Sequence, residues 1–555
     1  MEARSFVSRR PGCGCKVIQW EFEPVDAKQQ THVEEQEPNR QGELISAMLK
    51  PGFYPNRPAE VTHKETHISH LFFADDLVYK IKKAVRFSFL DYSTLAKRRC
   101  YINEELTLNR RLAPSVYLGV VPIGRDVSGW RLGASENPLE FALMMRRLPD
   151  SRMLPVLLEW AQVTPEMMRS LAQVLAEFHA NAQQLYPAGA ATHFDTVAQQ
   201  WRDNLEDVEQ LIGDAIDLES FAAIKAFGDN FLDQNRGFIS RRAFDGWVRD
   251  GHGDLHCEHV CFAPEGIQIF DCIEFDPQLR LCDLASEIGF LLMDLEARGG
   301  APLGEALLAR YRDLIDDSSL TVLLPFYKCY RALIRGKVEA LRDGASAAAA
   351  RYFTIAGRQT WSPYKPFVFI VCGLTGSGKS TLARELSERI GIDLINSDVV
   401  RKGLTGKSGR GVPFNQGIYS SEITEKTYGK MFDDTDRRLS QGQNAMLDAT
   451  FAQRRYREKL VAIAARHHVP VYFLHCVASD GLTQTRLRER AMNENEVSDG
   501  RWEIYLQQKS MQEPLDDCSS EICLELSADR SIEDLRRLSE RFLRGRLSTR
   551  VGNNG

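Results

Sequence analysis

At 555 residues the chain is too long for a single hydrophobic core, which implies roughly two to four domains. Its 43% hydrophobic and 26% charged residues are those of an ordinary soluble globular protein, and a net charge of −6 argues against sequence-independent nucleic-acid binding as its main task. It has no apolar run of the about 18 residues a membrane span needs, no apolar core of secretory-signal length near its start, and 12 cysteines with no CxxC pair, the pattern of buried thiols in a reducing, cytoplasmic compartment.

Residues 1–41 are polar, with a Gln/Glu-rich patch at 34–37 and no periodicity, and are expected to form a poorly ordered leader. Within them Cys13-Gly-Cys15 offers two ligands, short of a zinc site, and reads as a loop or tail feature. Leu44, Ile45, Met48 and Leu49 then predict a short amphipathic helix ended by Pro51-Gly52. Alternation over 67–73 and 77–81 around Asp75-Asp76 predicts a β-hairpin, followed by a helix from Thr94 to Asn109 and strands at 116–121 and 141–148. Pro165 opens a long helix with Met168, Leu171, Val174, Leu175 and Phe178 on one face, and the helical pattern continues to about Asn235. Strand-like Val260-Cys261-Phe262 and 267–270 flank a Pro264-Glu265-Gly266 turn, and helices resume to about Arg342. An alanine-rich stretch at 345–365 reads as a linker between a domain at 42–344 and a second at 366–545, with 546–555 as a tail. In the second domain, strands expected at 368–372, 393–396, 444–447, 469–476 and 521–526 alternate with helices, which predicts a doubly wound parallel sheet.

The chemistry is spelled most plainly at Val368–Gly391. An apolar strand enters Gly373-Leu374-Thr375-Gly376-Ser377-Gly378-Lys379-Ser380-Thr381, and Leu382, Ala383, Leu386 and Ile390 recur at helical spacing. Strand, glycine-rich loop and helix are the parts of an ATP-binding phosphate cradle: backbone N–H groups turn inward, the helix N-terminus faces the anion, Lys379 reaches the outer phosphates, and the Ser380 hydroxyl suits Mg²⁺. Asp398 follows the strand at 393–396, where a carboxylate accepts the proton of an attacking hydroxyl or caps the next helix; Arg401, one turn on, suits an anionic acceptor. Asp448 ends the strand at 444–447, in position to organise the water shell of Mg²⁺ or to start a turn. Leu482–Arg490, LTQTRLRER, projects three arginines and runs into a polar segment reaching Gly500, which together suit a mobile lid or a solvated surface helix.

Residues 366–545 resemble the small P-loop kinases related to polynucleotide kinase, zeta-toxin kinases and gluconate or adenylylsulfate kinases, through GLTGSGKS, NSDVVRK, MLDATF and the arginine helix. The resemblance implies phosphoryl transfer from ATP to a hydroxyl, with Asp398 as base, Arg401 on the acceptor and one of Arg486, Arg488 and Arg490 on the phosphates, Arg490 being the residue selected.

In the first half, His252-Gly253-Asp254-Leu255-His256 precedes Asp271 by a hairpin's length, and two carboxylates at the ends of a hairpin suit one nucleophile-orienting and one metal-binding role. Lys80, on a strand, and Glu105, on the next helix, supply a Lys–Glu pair; Glu105 is preferred to Glu104 because it shares a face with Leu108 and Leu112. This set resembles the aminoglycoside phosphotransferase family, of protein-kinase-like fold, over about 42–340, which implies Asp254 as catalytic base, Asp271 as principal Mg²⁺ ligand and Lys80 on the α- and β-phosphates of ATP. The family's metal-binding Asn five residues after the base is His259 here, which takes the metal position although an imidazole is a poor Mg²⁺ ligand, so that either Glu258 or water completes the shell or this half has weakened chemistry.

The order of the halves resembles bacterial bifunctional fusions of an aminoglycoside phosphotransferase-like domain with a P-loop ATP-binding kinase domain. The expected fold is therefore α+β and α/β in two domains, and the expected activity is an ATP- and Mg²⁺-dependent transfer to a small-molecule hydroxyl. Two alternatives stand beside it. One is a regulatory ATP-binding protein with a degenerate first half; the other is a nucleic-acid 5′-hydroxyl kinase using a basic track at Arg401, Lys402, Lys407 and Arg410.

Overall fold

The computed structural model describes residues 3–8, 17–22, 37–87, 90–127, 129–133, 137–185, 187–343, 346–406, 417–491, 501–515 and 518–551. It divides the chain into two units, Met1–Glu206 with Asp229–Ile334, and Asp207–Gly228 with Arg335–Gly555. Cys13 and Cys15 lie outside the described residues. Within the stretch expected as a leader, β1 (Ala3–Ser8) and β2 (Val17–Phe22) pair antiparallel, and α1 (Glu37–Met48) begins before its end.

The first unit is built on an antiparallel sheet of β3 (Val61–Glu65), β4 (Ser69–Ala74), β5 (Leu77–Lys82), β6 (Tyr117–Asp126), β7 (Gly129–Leu132) and β8 (Glu140–Arg146), in the order β3-β4-β5-β8-β6-β7. The hairpin turn falls at Asp75, whose φ of 55° a short polar side chain tolerates. One face of the sheet packs on Leu44 and Met48 of α1, the other on α2 (Leu95–Asn109) through Ile102 and Leu106. Thr94 caps α2 by accepting the Lys97 N–H. Helices follow: α3 (Pro165–Asn181), capped by Thr164; α4 (His193–Glu209); and α5 (Leu218–Phe244). Next come β9 (Val248–Asp250), the hairpin β10 (Val260–Ala263) and β11 (Gly266–Ile269), and β12 (Leu281–Asp283), which pairs with β9. The almost wholly buried α6 (Leu284–Ala297) follows, with α7 (Ala301–Leu314) and α8 (Leu320–Asp343).

The stretch expected as a linker is not one throughout: 347–359 is α9 (Ala347–Gln359), capped by Ser346, with Tyr352, Phe353 and Ile355 buried. Alanine is the strongest helix former, and the aromatic and aliphatic residues behind the run give this helix a face to bury.

The second unit holds β13 (Val368–Cys372), α10 (Lys379–Ile390), β14 (Leu394–Asn396), α11 (Ser397–Thr405), α12 (Ser421–Ser440), β15 (Ala445–Asp448), α13 (Arg454–Arg466), β16 (Val471–Val477), α14 (Asp480–Ala491), α15 (Trp502–Met511), β17 (Cys523–Ser527) and α16 (Ile532–Val551). Its five strands are all parallel, ordered β14-β15-β13-β16-β17. The central β13 alternates between two cores: Val368, Ile370 and Cys372 pack with Tyr428, Met431 and Phe432, while Phe369 and Val371 pack with Leu382, Leu386 and Leu543. A strand covered on both faces has no polar side, which is why its sequence reads as an unbroken apolar run. Among the described residues no helix is long and apolar enough to cross a membrane.

Candidate functional site

The loop after β13 is shaped by three glycines in left-handed conformations, Gly373 (φ 138°), Gly376 (φ 80°) and Gly378 (φ 86°). A Cβ at Gly373 would stand 2.3 Å from the Cys476 carbonyl oxygen, so no other residue fits. Leu374 and Thr375 follow, and the Thr375 N–H donates to Gln508 of α15 at 3.0 Å. Lys379, Ser380 and Thr381 form the first turn of α10. Among the described residues, the buried Ser377 Oγ and Arg486 Nη1 at this loop have no hydrogen-bond partner. Donors of this kind suit an anion held by the loop.

Asp398 opens α11 but does not cap it. Asn396 does, its Oδ1 accepting the N–H groups of Asp398 and Val399 at 2.9 and 3.0 Å. The Asp398 carboxylate is thereby free to accept from Arg401 Nη1 at 2.5 Å. The Arg401 guanidinium lies over the Tyr419 ring, and its buried Nε has no partner among the described residues. The same Asn396 donates to Asp448 Oδ2 at 2.6 Å, tying the end of β14 to the end of β15. Asp448 is 1% exposed and its Oδ1 is unpartnered. Burial raises its pKa, with Lys379 and Ser380 opposing. Lys379, Asp398 and Arg401 line a cleft of about 560 Å³, whose other walls include Tyr428, Tyr456 and Gln507.

Of the arginines on α14, Arg486 stands at the loop: Nη2 donates to the Ala528 carbonyl at 3.0 Å, and Nη1 lies 3.2 Å from where a Cβ of Gly378 would be. Arg488 is exposed. The Arg490 side chain, the 492–500 stretch expected as a lid, and Lys407 and Arg410 of the basic track lie outside the described residues.

In the first unit, alternation on β5 puts Lys80 and Lys82 on one face. Lys80 Nζ donates to Glu105 Oε1 at 2.7 Å and to Asp271 Oδ1 at 2.9 Å; Lys82 Nζ donates to Glu105 Oε2 at 2.7 Å and to Glu274 Oε1 at 2.5 Å. Glu104, by contrast, faces Arg280 at 3.7 Å. Burial disfavours the charge on Lys80, but Asp271 and Glu105 outweigh it and raise its pKa. Burial likewise opposes the Glu105 charge, and Lys80 and Lys82 pull its pKa down. The backbone N–H of Asp271, which sits at φ 62°, donates to Tyr117 Oη at 3.1 Å. Asp254 faces His256 at 3.4 Å and His259 at 3.6 Å, and His259 also lies 3.7 Å from Asp271. Burial raises the pKa of both carboxylates; histidines around Asp254 and Lys80 beside Asp271 reverse the balance and hold them well below the usual range. The loop carrying Asp254 is fixed by Glu287, which accepts the N–H groups of His252 and Gly253 at 2.7 and 2.8 Å.

Lys80, Glu105, Asp254, His259 and Asp271 are thus brought together, as are Lys379, Asp398, Arg401 and the loop. Lys82, Glu274, Glu287 and Gln508 are additions. The Lys-Ile-Lys alternation of β5 carried a signal for Lys82; the other three are joined to their sites only by the fold.

Residues 93–321 match the family of phosphotransferase enzymes, and residues 368–515 match an AAA domain family. The uncharacterized protein Rv2004c of Mycobacterium tuberculosis is 30% identical over 439 residues, covering 77% of this chain and 86% of the relative; the uncharacterized protein Mb2027c of Mycobacterium bovis matches to the same extent. Among solved structures, a choline kinase from Cryptosporidium parvum aligns at 11% identity and TM-score 0.37, over 58% of this chain and 96% of its own. A gluconokinase from Sinorhizobium meliloti aligns at 16% identity and TM-score 0.26, over 34% of this chain and 95% of its own.

Proposed function

Because the chain belongs to the family that joins a phosphotransferase-type domain to an AAA-type P-loop kinase domain, we propose that it transfers the γ-phosphoryl group of ATP to a hydroxyl of a small molecule. The observation that carries this reading is the cleft beside the glycine loop, where Lys379, Asp398 and Arg401 share one volume. The acceptor oxygen attacks the γ-phosphorus, the bond to the β-phosphate oxygen breaks, ADP leaves, and the hydroxyl proton passes to the Asp398 carboxylate. Arg401 holds Asp398 in line and offers its remaining N–H groups to an anionic acceptor. Lys379 and Arg486 hold phosphate oxygens as negative charge shifts toward the leaving group. Mg²⁺ bound with the nucleotide would neutralise charge between the β- and γ-phosphates; the oxygen donors Ser380 and Asp448, the latter with an unpartnered buried Oδ1, fit it.

In the first half the corresponding roles fall to Asp254 as base, Asp271 as cation ligand, and Lys80, held by Glu105, on the phosphates. A second reading, in which this half senses a ligand without transferring phosphate, is favoured by His259, an imidazole standing between the two carboxylates. ATP turnover against a mixed metabolite pool separates the two, following ADP and new phosphorylated products in wild type, Lys379→Ala and Asp254→Ala. Loss of a different product in each variant supports two transferase sites. If only Lys379→Ala matters, the first half is a sensor, and if neither variant changes ADP formation, the proposal fails.

A further inference from the structure

The cation site of the first half carries nitrogen donors for which Mg²⁺ has little use. His259 Nδ1 lies 2.9 Å from the Asp254 carbonyl oxygen, so Nδ1 bears the proton and donates, leaving Nε2 with a bare lone pair. That lone pair stands 3.7 Å from Asp271 Oδ2. Two donors on opposite sides of one cation, each ~2.1 Å away, would span ~4.2 Å, so the pair is within reach of a shared ion. His256 adds a second imidazole: its Nε2 is 3.4 Å from Asp254 Oδ2, its ring centroid is 4.1 Å from that of His259, and its Nδ1 is unpartnered although the residue is 2% exposed. One ligand atom from each of Asp254, His256 and His259 falls within a span of 4.8 Å. His252 is already committed, donating from Nε2 to the Phe270 carbonyl at 2.9 Å and accepting the Asp254 N–H on Nδ1 at 3.3 Å.

Mg²⁺ is a hard ion that seeks oxygen and keeps its waters, whereas imidazole is a good ligand for divalent first-row transition ions. We propose that His259 and Asp271, with Asp254 and His256 beside them, make a mixed imidazole–carboxylate site that selects a divalent first-row transition cation over Mg²⁺. The hydrogen bond from Nδ1 to the Asp254 carbonyl is the orienting contact such a ligand requires. The inference rests on reading this pocket as a cation-dependent nucleotide site, and cation binding without nucleotide tests it apart from catalysis.

The probe is Mn²⁺, added to the full-length, nucleotide-free protein in excess Mg²⁺ and followed by electron paramagnetic resonance. The expected result is one Mn²⁺ retained per chain, with nitrogen-14 coupling in the spin-echo modulation from a bound imidazole. His259→Asn weakens retention at least about tenfold, and Lys379→Ala, in the other half, leaves it unchanged. Circular dichroism matching wild type shows that the His259→Asn chain is folded, and His259→Gln repeats the measurement if it is not. Displacement of Mn²⁺ by Mg²⁺ at equal concentration, absence of nitrogen coupling in wild type, or unchanged retention in a folded His259 variant overturns the proposal. An Asp254→Ala chain that makes every wild-type product counts against transfer by this half and leaves the Mn²⁺ result standing.

Discussion

Lys82 is wholly buried between Glu105 and Glu274, and Tyr92 also donates to Glu274, so each partner is held by more than one contact. Lys82→Met leaves two buried carboxylates with one cation, Lys80, and is expected to cost about 3–5 kcal/mol, read as an earlier urea transition of the first unit. Glu287 governs acid stability there. Burial raises its pKa, but His179, His252 and the backbone N–H groups it accepts bring it down to about 2. Because the folded value lies below the unfolded one, the stabilisation is complete above about pH 4.5 and is lost as pH falls from there toward 2. A shift of this size corresponds to about 3 kcal/mol, so Glu287→Gln should flatten the stability curve across that window. At the glycine loop, Gly373→Ala must move either the Cys476 carbonyl or the loop itself; equilibrium dialysis with a non-hydrolysable ATP analogue should show at least about a tenfold loss of affinity.

Helix α11 shows what the sequence made legible and what it did not. The residue after the strand end that the sequence offered as base or cap was Asp398; the structure instead uses Asn396, both to cap the α11 N-terminus and to hold Asp448. Asn396→Ala should cost about 1 kcal/mol for the cap and, if Asp448 organises the cation, lower kcat more than it raises KM for the acceptor. Strands β13 to β17 were readable to within two or three residues because apolar runs bounded by turns recur along the unit. The choice of Glu105 over Glu104 as the partner of Lys80 was readable from helix periodicity on α2. Helix α9 was misread because alanine and glycine dilute the pattern, although its aromatic face is buried. Glu274 and Glu287 had no local signal, since each acts on residues that the fold alone brings near.

At the scale of the whole molecule, each unit carries one candidate nucleotide site of its own. Wild type should bind two equivalents of the ATP analogue and Lys379→Ala one, by calorimetry. The second unit also sets a condition on its own synthesis. The neighbours of β13 lie far downstream, for Val368 is in register with Ala445 and with Val471. At about 5–20 residues per second, a ribosome needs about 5–20 s to travel from Val368 to Val471, and β13 lacks both edge partners for most of that time. Until Ala445 has been made, a segment built to be covered on both faces has neither neighbour, which makes it a natural client for chaperones that bind nascent chains. A chain halted before Ala445 should therefore aggregate, whereas one extended through β17 should remain in solution.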